Sequence, residues 1–116
     1  MKNIDAVLAI RNEIINKSNL DFEVILRIIE LKRYYLGLQH ITTSNAAICL
    51  ALNIPVNAGT RYKAELERSS YLVASVDGFV CPYTGENVQF LSTNPAEFAR
   101  LIKSDPNQLN LFEDGE

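Results

Sequence analysis

The apolar residues of this chain change their spacing near residue 70, and that change restricts the fold more than any other feature. Up to Ser69 they recur at intervals of three and four. From Ser70 to Leu91, β-branched and aromatic residues fall into short runs separated by Asp77-Gly78, Pro82 and Gly85. The first pattern gives helices that each bury one stripe, and the second gives a small antiparallel hairpin. The expected fold class is therefore mainly α with a small β-hairpin. With 116 residues, 47% of them hydrophobic, the chain can build one compact domain with a real core.

Ile4, Val7, Leu8, Ile14 and Ile15, with Arg11 among them, predict an amphipathic helix over residues 4–17 that ends around Asn16 to Asn19. Asp21 is placed to cap a second helix running through Gly37, where glycine supplies a left-handed stop. Its apolar face is Phe22, Ile25, Leu26, Ile28, Ile29, Tyr34 and Tyr35. Thr42, Thr43 and Ser44 offer caps for a short helix from Asn45 to Leu52, and Asn53 suits a left-handed turn. Ile54-Pro55-Val56 breaks the chain before a fourth helix from about Asn57 to Ser69. After the hairpin, Asn94-Pro95 opens a last helix, Ala96 to Lys103, with Phe98, Leu101 and Ile102 turned to the core.

Residues 21–91, read as helix, short helix, turn, helix and hairpin, resemble a winged helix-turn-helix domain. The residues that carry the resemblance run from Ser44 to Ile54 for the first helix and turn, and from Val56 to Arg68 for the recognition-type helix. Gly59 departs from the pattern, which has an apolar residue there. A glycine inside a helix costs about 1 kcal/mol relative to alanine. The resemblance implies DNA contacts from Asn57, Thr60, Arg61, Lys63 and Arg68, with Thr60, Arg61 and Lys63 foremost, because the N-terminal half of such a helix enters the major groove.

Charge limits that expectation. Residues 1–95 carry nine basic and nine acidic side chains, and residues 96–116 carry two basic and five acidic ones, for a net charge of −3. A neutral domain with an acidic tail cannot bind nucleic acid tightly without a local basic patch. Glu65 and Glu67 interrupt the one available. Lys32 and Arg33, beside Tyr34 and Tyr35, are expected to be solvated charges next to core aromatics, and His40 an ordinary loop residue. Cys49 and Cys81 are far apart with no CxxC, Cys49 reading as a small buried residue and Cys81 as part of a loop. No Ser/His/Asp or Cys/His set and no glycine-rich phosphate loop is present, so neither catalysis, a metal site nor a cofactor is expected. No apolar run is long enough for a membrane span, and a cytoplasmic protein is expected.

Beyond the domain, taken as residues 1–103, Ser104-Asp105-Pro106-Asn107 reads as a linker, and residues 104–116 as a flexible acidic tail. Within it, Gln108-Leu109-Asn110-Leu111-Phe112 resembles the clamp-binding pentapeptide of bacterial polymerases and repair factors, written Gln-Leu, a small polar residue, Leu-Phe. The tails of translesion polymerases are similar. The resemblance implies the bacterial β sliding clamp as partner. Leu111 and Phe112 would fill an apolar pocket, Leu109 its rim, and Gln108 a second, hydrogen-bonding subsite. In the opposing view Leu109, Leu111 and Phe112 are the last piece of the core, alternating as a strand.

The function expected from these readings is a small replication- or repair-associated adaptor or inhibitor, of a phage or plasmid type, that docks on the clamp and has double-stranded DNA as a second partner. Two other classes remain open, a winged-helix transcriptional regulator and a non-enzymatic protein inhibitor of a host system.

Overall fold

The computed structural model describes residues 2–102. Among these residues there are six helices and one two-stranded antiparallel sheet: α1 (Ile4–Ser18), α2 (Phe22–Arg27), α3 (Glu30–His40), α4 (Asn45–Ala51), α5 (Val56–Arg68), β1 (Val73–Val80), β2 (Asn87–Ser92) and α6 (Pro95–Ile102). The fold class read from the sequence is the one observed. No helix of the described residues is long and apolar enough to cross a membrane.

Local signals set most boundaries. The Asn3 side chain accepts from the Ala6 N–H at the start of α1, and Asn19 ends that helix at φ 60°. Ser44 caps α4 through the Ala47 N–H, and Asn53 turns the chain at φ 58° before Pro55 stands ahead of α5. Asn94 does the same for α6, accepting from Ala96 N–H at 3.0 Å.

The expected helix from Asp21 through Gly37 is instead two helices. Ile28 and Ile29 adopt extended dihedrals, with ψ of 137° and 149°, although neither glycine nor proline stands nearby. The cause lies in Arg33, which was expected in solvent and is buried. Its guanidinium donates to the carbonyls of Leu26 at 2.9 Å and Ile28 at 3.0 Å, and to those of Leu52 at 3.0 Å and Asn53 at 3.3 Å. One planar cation thus caps the C-terminal ends of both α2 and α4. The break turns Ile29 outward, 64% exposed, where the sequence placed it in the core.

Gly37 does not stop α3, which runs on to His40. A Cβ at residue 37 would collide with Leu52 and stand 2.8 Å from Ile48 Cδ1, so the glycine lets α3 cross α4 at close range. His40 accordingly ends a helix and is no loop residue.

Short α4 is the hub. Ala47, Ile48, Cys49 and Ala51 are buried in it, and α1, α3, α5 and β2 all pack on it. Its C-terminal carbonyls are nearly all accounted for by the rest of the chain. Leu52 N–H bonds Ile48, Ile54 N–H bonds Cys49, Arg11 Nε bonds Ala51 at 2.8 Å, and Arg33 takes Leu52. Arg11 also lies over the Phe22 ring, 4.2 Å from its centre. From α1 the core receives Val7, Ile10 and Ile14, while Ile4 and Leu8 remain exposed.

In the hairpin, Asp77-Gly78 is not the turn. It lies within β1, where the register shifts between Ala74 and Gly78, and the reversal is made by residues 81–86, with Gly85 at φ 78°. Phe79 and Phe90 stack across the strands at 4.9 Å. Helix α6 packs on the hairpin and buries Leu101, but Ile102 is exposed, contrary to expectation.

Candidate nucleic-acid interface on the fifth helix

Helix α5 is pinned by its inner side. Ala58, Gly59 and Leu66 are buried, and a Cβ on Gly59 would clash with Cys49 Sγ and sit 3.0 Å from Asn45 Oδ1 and 3.3 Å from Tyr34. The glycine that breaks the helix-turn-helix pattern therefore lets α5 lie close against α4. Beside it, the Tyr34 hydroxyl donates to Asn45 Oδ1 at 2.8 Å, and Tyr62 donates to Glu30 at 2.8 Å. Burial raises the Tyr34 phenol and pushes the Cys49 thiol up to about 12, so this contact is a neutral, inert piece of core near pH 7.

Fixed that way, α5 turns Asn57, Thr60, Arg61, Ala64 and Arg68 to solvent on one stripe at intervals of three and four. The structure brings four of the five sequence-proposed DNA contacts, Asn57, Thr60, Arg61 and Arg68, onto this exposed stripe. Lys63 lies to one side of them, facing the hairpin, and its ammonium is paired with Glu67 at 2.8 Å. The Thr60 hydroxyl donates to the Val56 carbonyl at 3.2 Å, and its remaining lone pairs stay open to solvent and to Asn45 Nδ2 at 3.4 Å. Arg61, its guanidinium 5.9 Å from the Tyr62 ring centre, and Arg68 both hold exposed charges that can meet a phosphate or a base edge.

The hairpin, which would be the wing, contributes no cation. From Ser69 to Ala99 there is no lysine or arginine, whereas Asp77, Glu86 and Glu97 are acidic. A wing of this kind offers a phosphate only backbone N–H and hydroxyl groups.

A cleft of about 270 Å³ separates the hairpin from α4 and α5, lined among others by Ser44, Lys63, Cys81, Glu86 and Gln89. In it Cys81 Sγ lies 2.9 Å from Ser44 Oγ and accepts from Thr84 N–H at 3.5 Å. Burial works against the Cys81 thiolate, but the hydrogen bonds from Ser44, Thr84 and the backbone outweigh it and lower the thiol below its ordinary range. Sequence reading missed this cleft. Its one local sign was the tight turn Cys81-Pro82-Tyr83-Thr84-Gly85. Both cysteines are free, and no cluster of three or more histidine, cysteine or acidic side chains able to hold a metal occurs among the described residues.

The clamp-type segment Gln108, Leu109, Asn110, Leu111 and Phe112 lies outside the described residues, as does the linker before it. The order of α3, α4, α5 and hairpin is compatible with a winged helix-turn-helix domain. Comparison of the chain with protein-family models, curated proteins and solved structures found no match.

Proposed function

We propose that this protein is a small adaptor or inhibitor of bacterial DNA replication or repair that docks on the β sliding clamp through Gln108-Leu109-Asn110-Leu111-Phe112. The observation that carries the reading is the pentapeptide itself, set off from the domain by Asp105-Pro106-Asn107 and followed by acidic residues. The domain supports it indirectly, because the buried residues from Val7 to Leu91 already give the helices and the hairpin a shared core. The place of action is the bacterial cytoplasm, and the gene is of a phage or plasmid type.

The weak cationic character of α5 fits this function better than it fits a free-standing regulator. Nonspecific DNA contacts have dissociation constants of about 10⁻⁴ to 10⁻⁶ M, and Arg61 and Arg68 beside two glutamates belong at the weak end. A clamp encircling DNA holds the domain at an effective concentration of about a millimolar. At that concentration even a contact near 10⁻⁴ M is mostly occupied. The peptide–clamp contact alone should be about micromolar, or roughly 8 kcal/mol.

Calorimetric titration of purified clamp with the full chain and with a chain ending at Asn107 tests the proposal. Heat is expected from the full chain only. Absence of heat at tens of micromolar would remove the clamp from the account, and operator-like DNA binding by the shortened chain would favour the transcriptional regulator.

A further inference from the structure

We propose that the joint between α2 and α3 is a two-state hinge latched by Arg33, and that releasing the latch lets α1 and α2 exchange with those of a second copy of the chain. The inference stands apart from clamp binding. The joint is at odds with its own sequence. Residues 22–37 have no helix breaker before Gly37 and an apolar spacing suited to one helix, yet the backbone is extended at Ile28 and Ile29.

The bend is held chiefly by one side chain of the segment, Arg33, which is anchored from outside by the Leu52 and Asn53 carbonyls. The carbonyls of Leu26 and Ile28, which a continuous helix would satisfy from the N–H groups four residues on, are satisfied here by the Arg33 guanidinium. Little else fastens α2. Ile25 is its one buried residue, Phe22 lies under Arg11, and Val24 is 41% exposed.

Straightening the joint costs few backbone hydrogen bonds, since the helix supplies its own. It also brings Val24 and Ile28 into line with Leu31, Tyr35 and the buried Leu38, at intervals of four, three, four and three, so that the stripe by which α3 packs on the core continues along α2. The obstacle is α1. A straight helix carries α1 away from α4 and uncovers Val7, Ile10 and Ile14. The same α3 and α4 surface on a second copy is the complementary site for them, and Arg11 would then bond the Ala51 carbonyl of that copy as it now bonds its own. Such an exchange of identical elements across a hinge closes into a symmetric dimer.

The bent form can be locked by a substitution that the dihedrals already accept. Ile29 has φ −59° and Ile28 has ψ 137°, which suit a proline and the residue before it. Ile29→Pro therefore permits the bend and forbids the continuous helix.

The full chain, Arg33→Met and Ile29→Pro would each be refolded from denaturant at low and high protein concentration, then examined by size exclusion with light scattering and by circular dichroism. For the wild type, a dimer fraction that rises with refolding concentration and persists on dilution is expected. Arg33→Met should raise that fraction about tenfold, as loss of hydrogen bonds to a charged group implies, with a gain in helix signal. Ile29→Pro should stay monomeric and melt higher. If Arg33→Met fails to fold, the wild type against Ile29→Pro decides. The proposal is overturned if Ile29→Pro dimerises as the wild type does, or if neither the wild type nor folded Arg33→Met gives a persistent dimer.

Discussion

Replacing Gly59 by alanine pits helix propensity against packing, and the structure says which wins. In an open helix the change would stabilise the chain by about 1 kcal/mol. Here the new methyl group meets Cys49 Sγ at clashing distance, with Asn45 Oδ1 at 3.0 Å and Tyr34 Cε1 at 3.3 Å. Two of these neighbours are tied together by the 2.8 Å hydrogen bond from Tyr34 to Asn45, so they cannot both retreat without loosening it. Overpacking of this kind costs about 2 kcal/mol, and the weakened hydrogen bond costs about 1 more. The net loss is about 2 kcal/mol, or roughly 8 °C in melting temperature for a domain of this size. Because Cys49 is the worst obstacle, Cys49→Ala should relieve much of the penalty, leaving a coupling of at least about 1 kcal/mol in a double-mutant cycle. Thermal and urea unfolding of the four proteins would measure both quantities. A Gly59→Ala protein as stable as the wild type would refute the close approach of α4 and α5.

Three further outcomes are expected. The double change Leu111→Ala, Phe112→Ala should weaken clamp binding more than about a hundredfold by calorimetry, because it removes roughly 3 kcal/mol of apolar burial, while the melting temperature stays unchanged. A large fall in melting temperature would instead assign those residues to the core. Replacing Thr60, Arg61 and Lys63 together with alanine should weaken any DNA affinity measured by fluorescence anisotropy and flatten its salt dependence, with Arg61→Ala alone accounting for most of the change, since Lys63 is paired with Glu67. With a small disulfide reagent on the native protein, both buried thiols should react slowly, but Cys81, which lines the cleft, should react before Cys49, and its rate should level off at a lower pH than that of a free cysteine, because its folded-state thiol is lowered while that of Cys49 is pushed up to about 12. Equal rates would count against the hydrogen bonds that reach Cys81.

Elements governed by nearby residues were legible in the sequence, and elements governed by distant ones were not. Asn19, Ser44, Asn53 and Asn94 act on the turn beside them, so the C-terminal end of α1 and the starts of α4, α5 and α6 could be read to within a residue or two. The break at Ile28 could not, because its cause is an arginine whose other hydrogen bonds reach Leu52 and Asn53. Gly37 and Gly59 misled for the same reason. A glycine in a sequence looks like a helix stop or a weakness, and whether it marks a crossing point depends on which helix lies against it. At the candidate site, Asn57, Thr60, Arg61, Lys63 and Arg68 came from the resemblance to a recognition helix, and the structure sets four of them on one exposed stripe. That Lys63 faces the hairpin, and that Ser44 and Cys81 meet across a cleft, depends on how the hairpin folds back.

Dependence on distant groups bears on how α4 could ever be taken apart. Seven residues long, it is too short to persist by itself, and its terminal carbonyls are met by Arg11 from α1 and Arg33 from α3. The amide protons of Ile48 and Leu52, bonded to the carbonyls of Ser44 and Ile48, should accordingly be among the slowest in the protein to exchange with solvent deuterium. A fragment holding only α4, α5 and the hairpin would leave those carbonyls without either guanidinium, so the turn between the two helices cannot be excised and grafted as a portable unit.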